Sequence, residues 1–303
     1  GSWALQHPGR HDHAAARALA AHDRHRGVGR VEIRGRGPRR QACRQSAGQS
    51  SGRRTWRMKM SNPPMYGELQ PLDREAHKNL KLDTSQAVVA RVANQNSVFL
   101  AAVEFGDACK EYPIVFVRAG EAGPDNKPAV APLAVLGLKQ GSNLFVDGDK
   151  WTGNYVPAYV RRYPFAMARL DGNADNLAVC FDSRWQGFND TTGEALFKDG
   201  QPTEFLNNAK GFLENFEQES ERTRLICNLL VEMELLQDMR FEATLPNGEK
   251  LDVEGFLALD EKKYSELPDD KVLQLHRNGL IALIELHRLS MSNMNRLAGR
   301  YAA

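Results

Sequence analysis

Beyond its first 57 residues the chain has few histidines, scattered cysteines and no long apolar run, and each shortage removes a class of function. His77, His276 and His287 form neither an HxH nor an HExxH arrangement, so a zinc or iron site would need ligands from distant positions. Cys43, Cys109, Cys180 and Cys227 make no CxxC pair; Cys43 lies in the N-terminal segment, and the other three read as buried free thiols of a reducing compartment. Asp147-Gly148-Asp149 offers too few oxygens for a calcium loop, and Lys150 follows directly; it reads as a turn. The uncharged runs at 129–138 and 280–284 fall well short of the roughly 18 residues a membrane helix needs, so no span is expected. The residues after Met58 reach proline and charge before an apolar segment forms, which does not encode a signal peptide. No GxSxG elbow, GxGxxG or GxxxxGK[ST] occurs in this part, and no cofactor is expected.

Charge divides the chain in two. Residues 1–57 hold 13 arginines against 3 acidic residues and lack Lys, Phe and Tyr; of the overall +2 they carry +10, leaving −8 for the rest. An acidic remainder argues against nucleic acid, whose phosphates need a basic face. Without apolar periodicity the first segment cannot offset its ordering entropy. We read residues 1–57 as a disordered basic extension, translated upstream sequence behind a Gly-Ser scar, with Met58 or Met60 as the natural start. Residues 58–303 then form the folded domain.

The domain reads as α+β. From about Val88 to Asp182 short β-rich segments, VVARVA, VFLAAVEF, PIVFVRAG, APLAVLGL, NLFVDG and NLAVCFD, are cut by Gly, Pro and Asn. Two short helical inserts interrupt them, near Gly106–Tyr112 and in VPAYVRRY. The second half is helical: Leu225, Ile226, Leu229, Leu230, Met233 and Leu236 fall at helical spacing in a stretch free of Gly and Pro from 212 to 245. Alternation around Asn247-Gly248 predicts a hairpin with a two-residue turn and Phe241, Leu245, Leu251 and Val253 on its buried face. Helical patterns follow Pro268 and Asn278-Gly279, the second apolar on nearly all sides.

The stretches PLDREAHKNLKL, NSVFLAAVEFGDACKEYPIVFV, AVLGLKQGSNLFVD and YVPAYVRRYPFAMA carry a resemblance to the SapC family that reaches from Tyr66 to the end. The resemblance implies an association with bacterial surface layers and their export, or with outer-membrane uptake systems. It implies no catalytic residue. A permease role, attached to some proteins of this name, conflicts with the missing span.

The segment from Trp151 to Tyr163 packs aromatics and guanidiniums suited to stacking on sugars or clasping carboxylates. Trp151, Tyr155, Tyr159, Arg161 and Arg162 are therefore the candidate ligand-binding residues. On a helix Tyr155 and Tyr159 would share a face, while the adjacent arginines would project apart, one held by an internal carboxylate and one exposed beside a tyrosine. The competing reading has the tyrosines packed on the sheet and both arginines paired with the domain's own acids. In function the family resemblance, with the absence of catalytic motifs, implies a non-catalytic binding or assembly protein associated with the bacterial surface layer or envelope uptake systems. Its partner would be an envelope or surface-layer protein, or an acidic sugar or peptide. The rival is an enzyme whose groups converge in space, around Glu104, Arg118, Arg161 and a C-terminal histidine. The cytoplasm is the expected location, with signal-independent export to the cell surface as the alternative.

Overall fold

The computed structural model describes residues 63–86, 88–119, 129–169, 177–244 and 248–301. All lie in the second of the two units into which the chain divides, Asn62–Ala303. The expectation of disorder for residues 1–57 falls outside the described residues.

The longer strands, in chain order, are β1 (Leu69–Pro71), β2 (Ser97–Phe99), β3 (Ile114–Arg118), β4 (Val130–Val135), β5 (Phe165–Arg169), β6 (Leu177–Asp182), β7 (Leu236–Thr244) and β8 (Lys250–Leu259). The α-helices are α1 (Phe105–Ala108), α2 (Ala158–Arg161), α3 (Glu204–Glu232), α4 (Glu261–Ser265), α5 (Asp269–Arg277), α6 (Leu280–Ser290) and α7 (Asn293–Arg300). The chain is α+β. The main sheet is antiparallel in the order β7-β8-β3-β4-β2, and a smaller sheet runs β1-β6-β5. Ile114, Val115 and Phe116 are buried in succession, as a strand covered on both faces requires.

Two apolar cores result. One surrounds the main sheet and holds Leu100, Tyr112, Ile114, Phe216, Leu230 and Ile284. The other surrounds the smaller sheet and holds Tyr66, Tyr163, Phe165, Phe181, Trp185 and Leu213. Helix α3, capped by Thr203 Oγ1 accepting from Leu206 N–H, is long enough to serve both: Leu206 and Leu213 enter the second core, Phe216, Cys227 and Leu230 the first. Its buried stripe differs from the one the sequence suggested. Leu225 is 45 % exposed and Leu229 only half-buried, because the helix starts at Glu204 and its phase is set by Phe216 and Cys227. It ends at Glu232 with Glu234 at φ +53°, so Leu236 opens a strand instead of continuing the stripe.

Other expectations need correction. VVARVA is a 3-10 helix over Val88–Val92, burying Val89 and Val92 at one-turn spacing, and VFLAAVEF leaves the sheet after Phe99. The hairpin is present, and Ala243 pairs with Leu251 and Thr244 with Lys250. The two-residue turn expected at Asn247-Gly248 includes Asn247, which lies outside the described residues. Leu251 is buried and Phe241 and Val253 half-buried; Leu245 lies outside the described residues.

Strands β3 and β8 pair only through Leu257 and Phe116. Helix α6 closes the rest of that seam. His287 Nδ1 faces Ile114 O at 2.8 Å and Nε2 accepts from Leu259 N–H at 3.1 Å. Since a backbone N–H only donates, Nε2 is the bare nitrogen and Nδ1 carries the proton. Ser290 Oγ accepts from Ile114 N–H at 2.9 Å and donates to His287 O at 2.6 Å. Burial holds the His287 pKa below its ordinary 6.5. The unfolded chain therefore takes up a proton near 6.5 while the folded one does not, and stability falls as pH drops through that value. We expect His287→Asn, which has no titration, to be less stable at neutral pH but to lose less stability on acidification, read from urea midpoints. Parallel pH profiles for the two proteins would contradict this role.

Candidate functional site

The segment from Trp151 to Arg162 starts at a tight turn, where Gly148 at φ +56° and Asp149 link paired Asp147 and Lys150, as the sequence suggested. Trp151 Nε1 donates to Tyr112 Oη at 3.2 Å and to Tyr155 O at 3.1 Å, and its ring stacks on Phe145. Tyr112 Oη also donates to Tyr155 O. Gly153 is required here: a Cβ would stand 2.6 Å from Glu111 Oε2 and 2.7 Å from Tyr112 Oη. The Glu111 carboxylate accepts the Asn154 N–H, at 2.8 and 2.9 Å to its two oxygens.

Pro157 then fixes an extended approach to α2, which is a single turn. Tyr155 therefore precedes the helix and shares no face with Tyr159, contrary to the helical reading. Its hydroxyl donates to Glu104 Oε1 at 2.7 Å, and the same oxygen accepts Ala158 N–H at 2.7 Å, the first amide of α2. Glu104 Oε2 accepts Ala101 N–H at 2.9 Å. Glu104 is 5 % exposed. Burial pushes its pKa up, against the pull of the Ala158, Tyr155 and Ala101 donors and of the Arg161 charge. Burial and the Glu104 carboxylate push the Tyr155 phenol up as well, which keeps it a donor.

The two arginines part at this point. Arg161 is exposed, its Nε donating to Val156 O at 3.0 Å and its Cζ lying 5.8 Å from the Tyr155 ring centroid and 5.3 Å from that of Phe212. It has no carboxylate partner among the described residues. Arg162 is buried in a box of rings, 4.3 Å from Tyr159, 4.6 Å from Phe216 and 5.6 Å from Tyr66. Its Nη1 stands 3.8 Å from Glu217 Oε1, while its Nε has no hydrogen-bond partner. Tyr159 Oη donates to Pro64 O at 3.1 Å, binding the incoming chain to the same box. The five candidates thus separate: Tyr155 and Arg161 meet at the surface, Tyr159 and Arg162 lie inside, and Trp151 supports Tyr155 from below.

The rival constellation assembles only in part. Glu104 and Arg161 flank Tyr155, but Arg118 forks onto exposed Asp238 at 2.7 and 2.8 Å, and both ring nitrogens of His287 are bound to backbone. Burial pushes the Cys180 thiol up to about 11 and Cys227 up to about 12, and Cys109 is also raised, so all three stay protonated at neutral pH. No cluster of three or more His, Cys, Asp or Glu fit to hold a metal occurs among the described residues. The cavity between α3, α6 and the sheet, lined by Phe116, Thr223, Leu230, Ile284 and His287, is apolar and about 20 Å³, room for about one water. No helix among the described residues is long and apolar enough to cross a membrane. Sequence reasoning missed Phe212, Phe216 and Tyr66. The i, i+4 spacing of Phe212 and Phe216 on α3 was the only local signal, and the arginines they face lie some 50 residues away.

The described residues form an α+β scaffold with a surface arginine seated beside Tyr155, whose hydroxyl is held by the buried Glu104 carboxylate. A family model, SapC, matches residues 72–297, most of the chain, and the protein belongs to the SapC family. Comparison with curated proteins and with solved structures returns no match.

Glu104→Gln replaces one acceptor oxygen by an NH2 facing a donor, and we expect it to cost about 1–3 kcal/mol, measured by urea denaturation. A variant as stable as the parent would mean that the carboxylate does not hold the Tyr155 segment.

Proposed function

We propose that this chain is a non-catalytic binding protein whose contact surface centres on Arg161. One observation carries the reading: an exposed guanidinium makes no ion pair with a carboxylate among the described residues of an acidic domain, and lies beside the rings of Tyr155 and Phe212. Val156 O accepts from its Nε and the Tyr155 hydroxyl accepts from its Nη2 at 3.5 Å, leaving Nη1 and the outer Nη2 hydrogen at the guanidinium end for an incoming group. A carboxylate is the complement, because its two oxygens match the parallel N–H bonds of the guanidinium end. The ligand class is accordingly an acidic sugar or a carboxylate-bearing peptide. The family resemblance suggests as its source an envelope or surface-layer protein of the bacterial cell. Protonated thiols and the buried His287 speak against nucleophilic chemistry and support the binding reading over an enzyme.

The same proposal places the native protein in the cytoplasm. The free thiols Cys109, Cys180 and Cys227 support that location, and cell fractionation that finds the protein mainly outside would favour signal-independent export.

Calorimetry with glucuronate, glucose and short acidic peptides tests the site. Arg161→Ala should abolish binding of the acidic ligands while changing stability by less than about 0.5 kcal/mol, as surface substitutions do. Arg162→Ala should instead destabilise by roughly 1–2 kcal/mol through loss of its ring contacts. Equal destabilisation by both variants, with no binding by the parent, would remove the site.

A further inference from the structure

Many exposed arginines of this domain are neutralised by a carboxylate: Arg118 by Asp238, Arg184 by Glu68, Arg224 by Glu221, Arg240 by Asp252, Arg288 by Glu285. Arg296 and Arg300 on α7 have no such partner among the described residues, yet both guanidiniums are held in place. Arg296 Nη1 donates to Lys110 O at 3.4 Å and to Asn293 Oδ1 at 3.3 Å. Arg300 Nη1 donates to Leu144 O at 3.2 Å, and its Cζ lies 4.3 Å from the ring centroid of buried Phe145. Glu111, whose charge acts on the nearby Tyr112, is occupied by the Asn154 amide.

We propose that Arg296 and Arg300 form a second anion site, independent of the Arg161 surface, that takes a phosphomonoester. One turn apart on a helix, their side chains are neighbours, with Cβ atoms about 5–6 Å apart. Their fixed contacts are to neutral oxygens and a ring, so two full positive charges remain. Those contacts use Nη1 of each residue and leave the Nε and Nη2 edge, the edge that grips an oxyanion with two parallel bonds. A single carboxylate satisfies one such edge. A tetrahedral dianion offers oxygens to two, which is why the pair selects phosphate over carboxylate.

Arginine Nε–Hε NMR spectra of the full chain, titrated with inorganic phosphate and glucose 6-phosphate at constant ionic strength, test this. Saturable shifts of the Arg296 and Arg300 signals are expected, with binding weakened about tenfold or more in R296Q/R300Q and unchanged in R161Q. The R296K/R300K protein keeps the charge but not the planar fork, and it should weaken binding as well. Shifts that only track chloride, loss of binding in R161Q, or full binding by R296Q/R300Q would each overturn the proposal. Because R161Q leaves this site intact, its result separates failure here from failure of the carboxylate surface.

Discussion

The Glu104 carboxylate is the anchor on which the candidate surface depends. It is buried, and burying a charge is costly unless donors surround it. Those donors come from the turn at Ala101, from the Tyr155 hydroxyl and from the first amide of α2, more than 50 residues away in sequence. One side chain thus fixes how α2 leaves the loop, and with it where Arg161 emerges. Trp151 and Tyr112 secure the same loop from below by donating to Tyr155 O. The arginine at the surface is therefore held by a rigid base, which limits the ordering entropy lost on binding.

A comparable economy holds the scaffold together. Asp182, fully buried at the end of β6, accepts from the amides of Gly67, Glu68 and Arg184 and from Tyr163 Oη. Burial would raise its pKa, but these donors outweigh burial and hold it below the ordinary carboxylate value. Its stabilisation is therefore present at neutral pH and lost as pH falls through the folded value. His287 and Ser290 perform the matching task in the main sheet, taking the backbone groups of Ile114 that strand pairing leaves over. In each case a polar side chain carried by one element satisfies the backbone of another: Asp182 ties β6 to the chain entering β1, and His287 and Ser290 tie α6 to β3 and β8.

Elements set by local pattern were legible in the sequence; contacts across long separations were not. The buried run Ile114–Phe116, the long helix, the hairpin and the Gly279 break follow from periodicity and from glycine at positive φ. The different directions of Arg161 and Arg162 followed from their adjacency on a helix. The 3-10 turn at Val88–Val92 looked like a strand because valine favours both a pleated surface and any well-packed turn. The aromatic box around Arg162 was invisible, since Tyr66, Tyr159 and Phe216 come from three separate segments.

The proposed binding through one exposed guanidinium is reported most directly by the side-chain signal of that group. Titrating the arginine-labelled chain with glucuronate at constant ionic strength should move the Arg161 Nε–Hε resonance saturably and leave buried Arg162 unmoved. An Arg161 resonance that stays still, or exposed arginines all shifting in step as simple charge screening would cause, would contradict it.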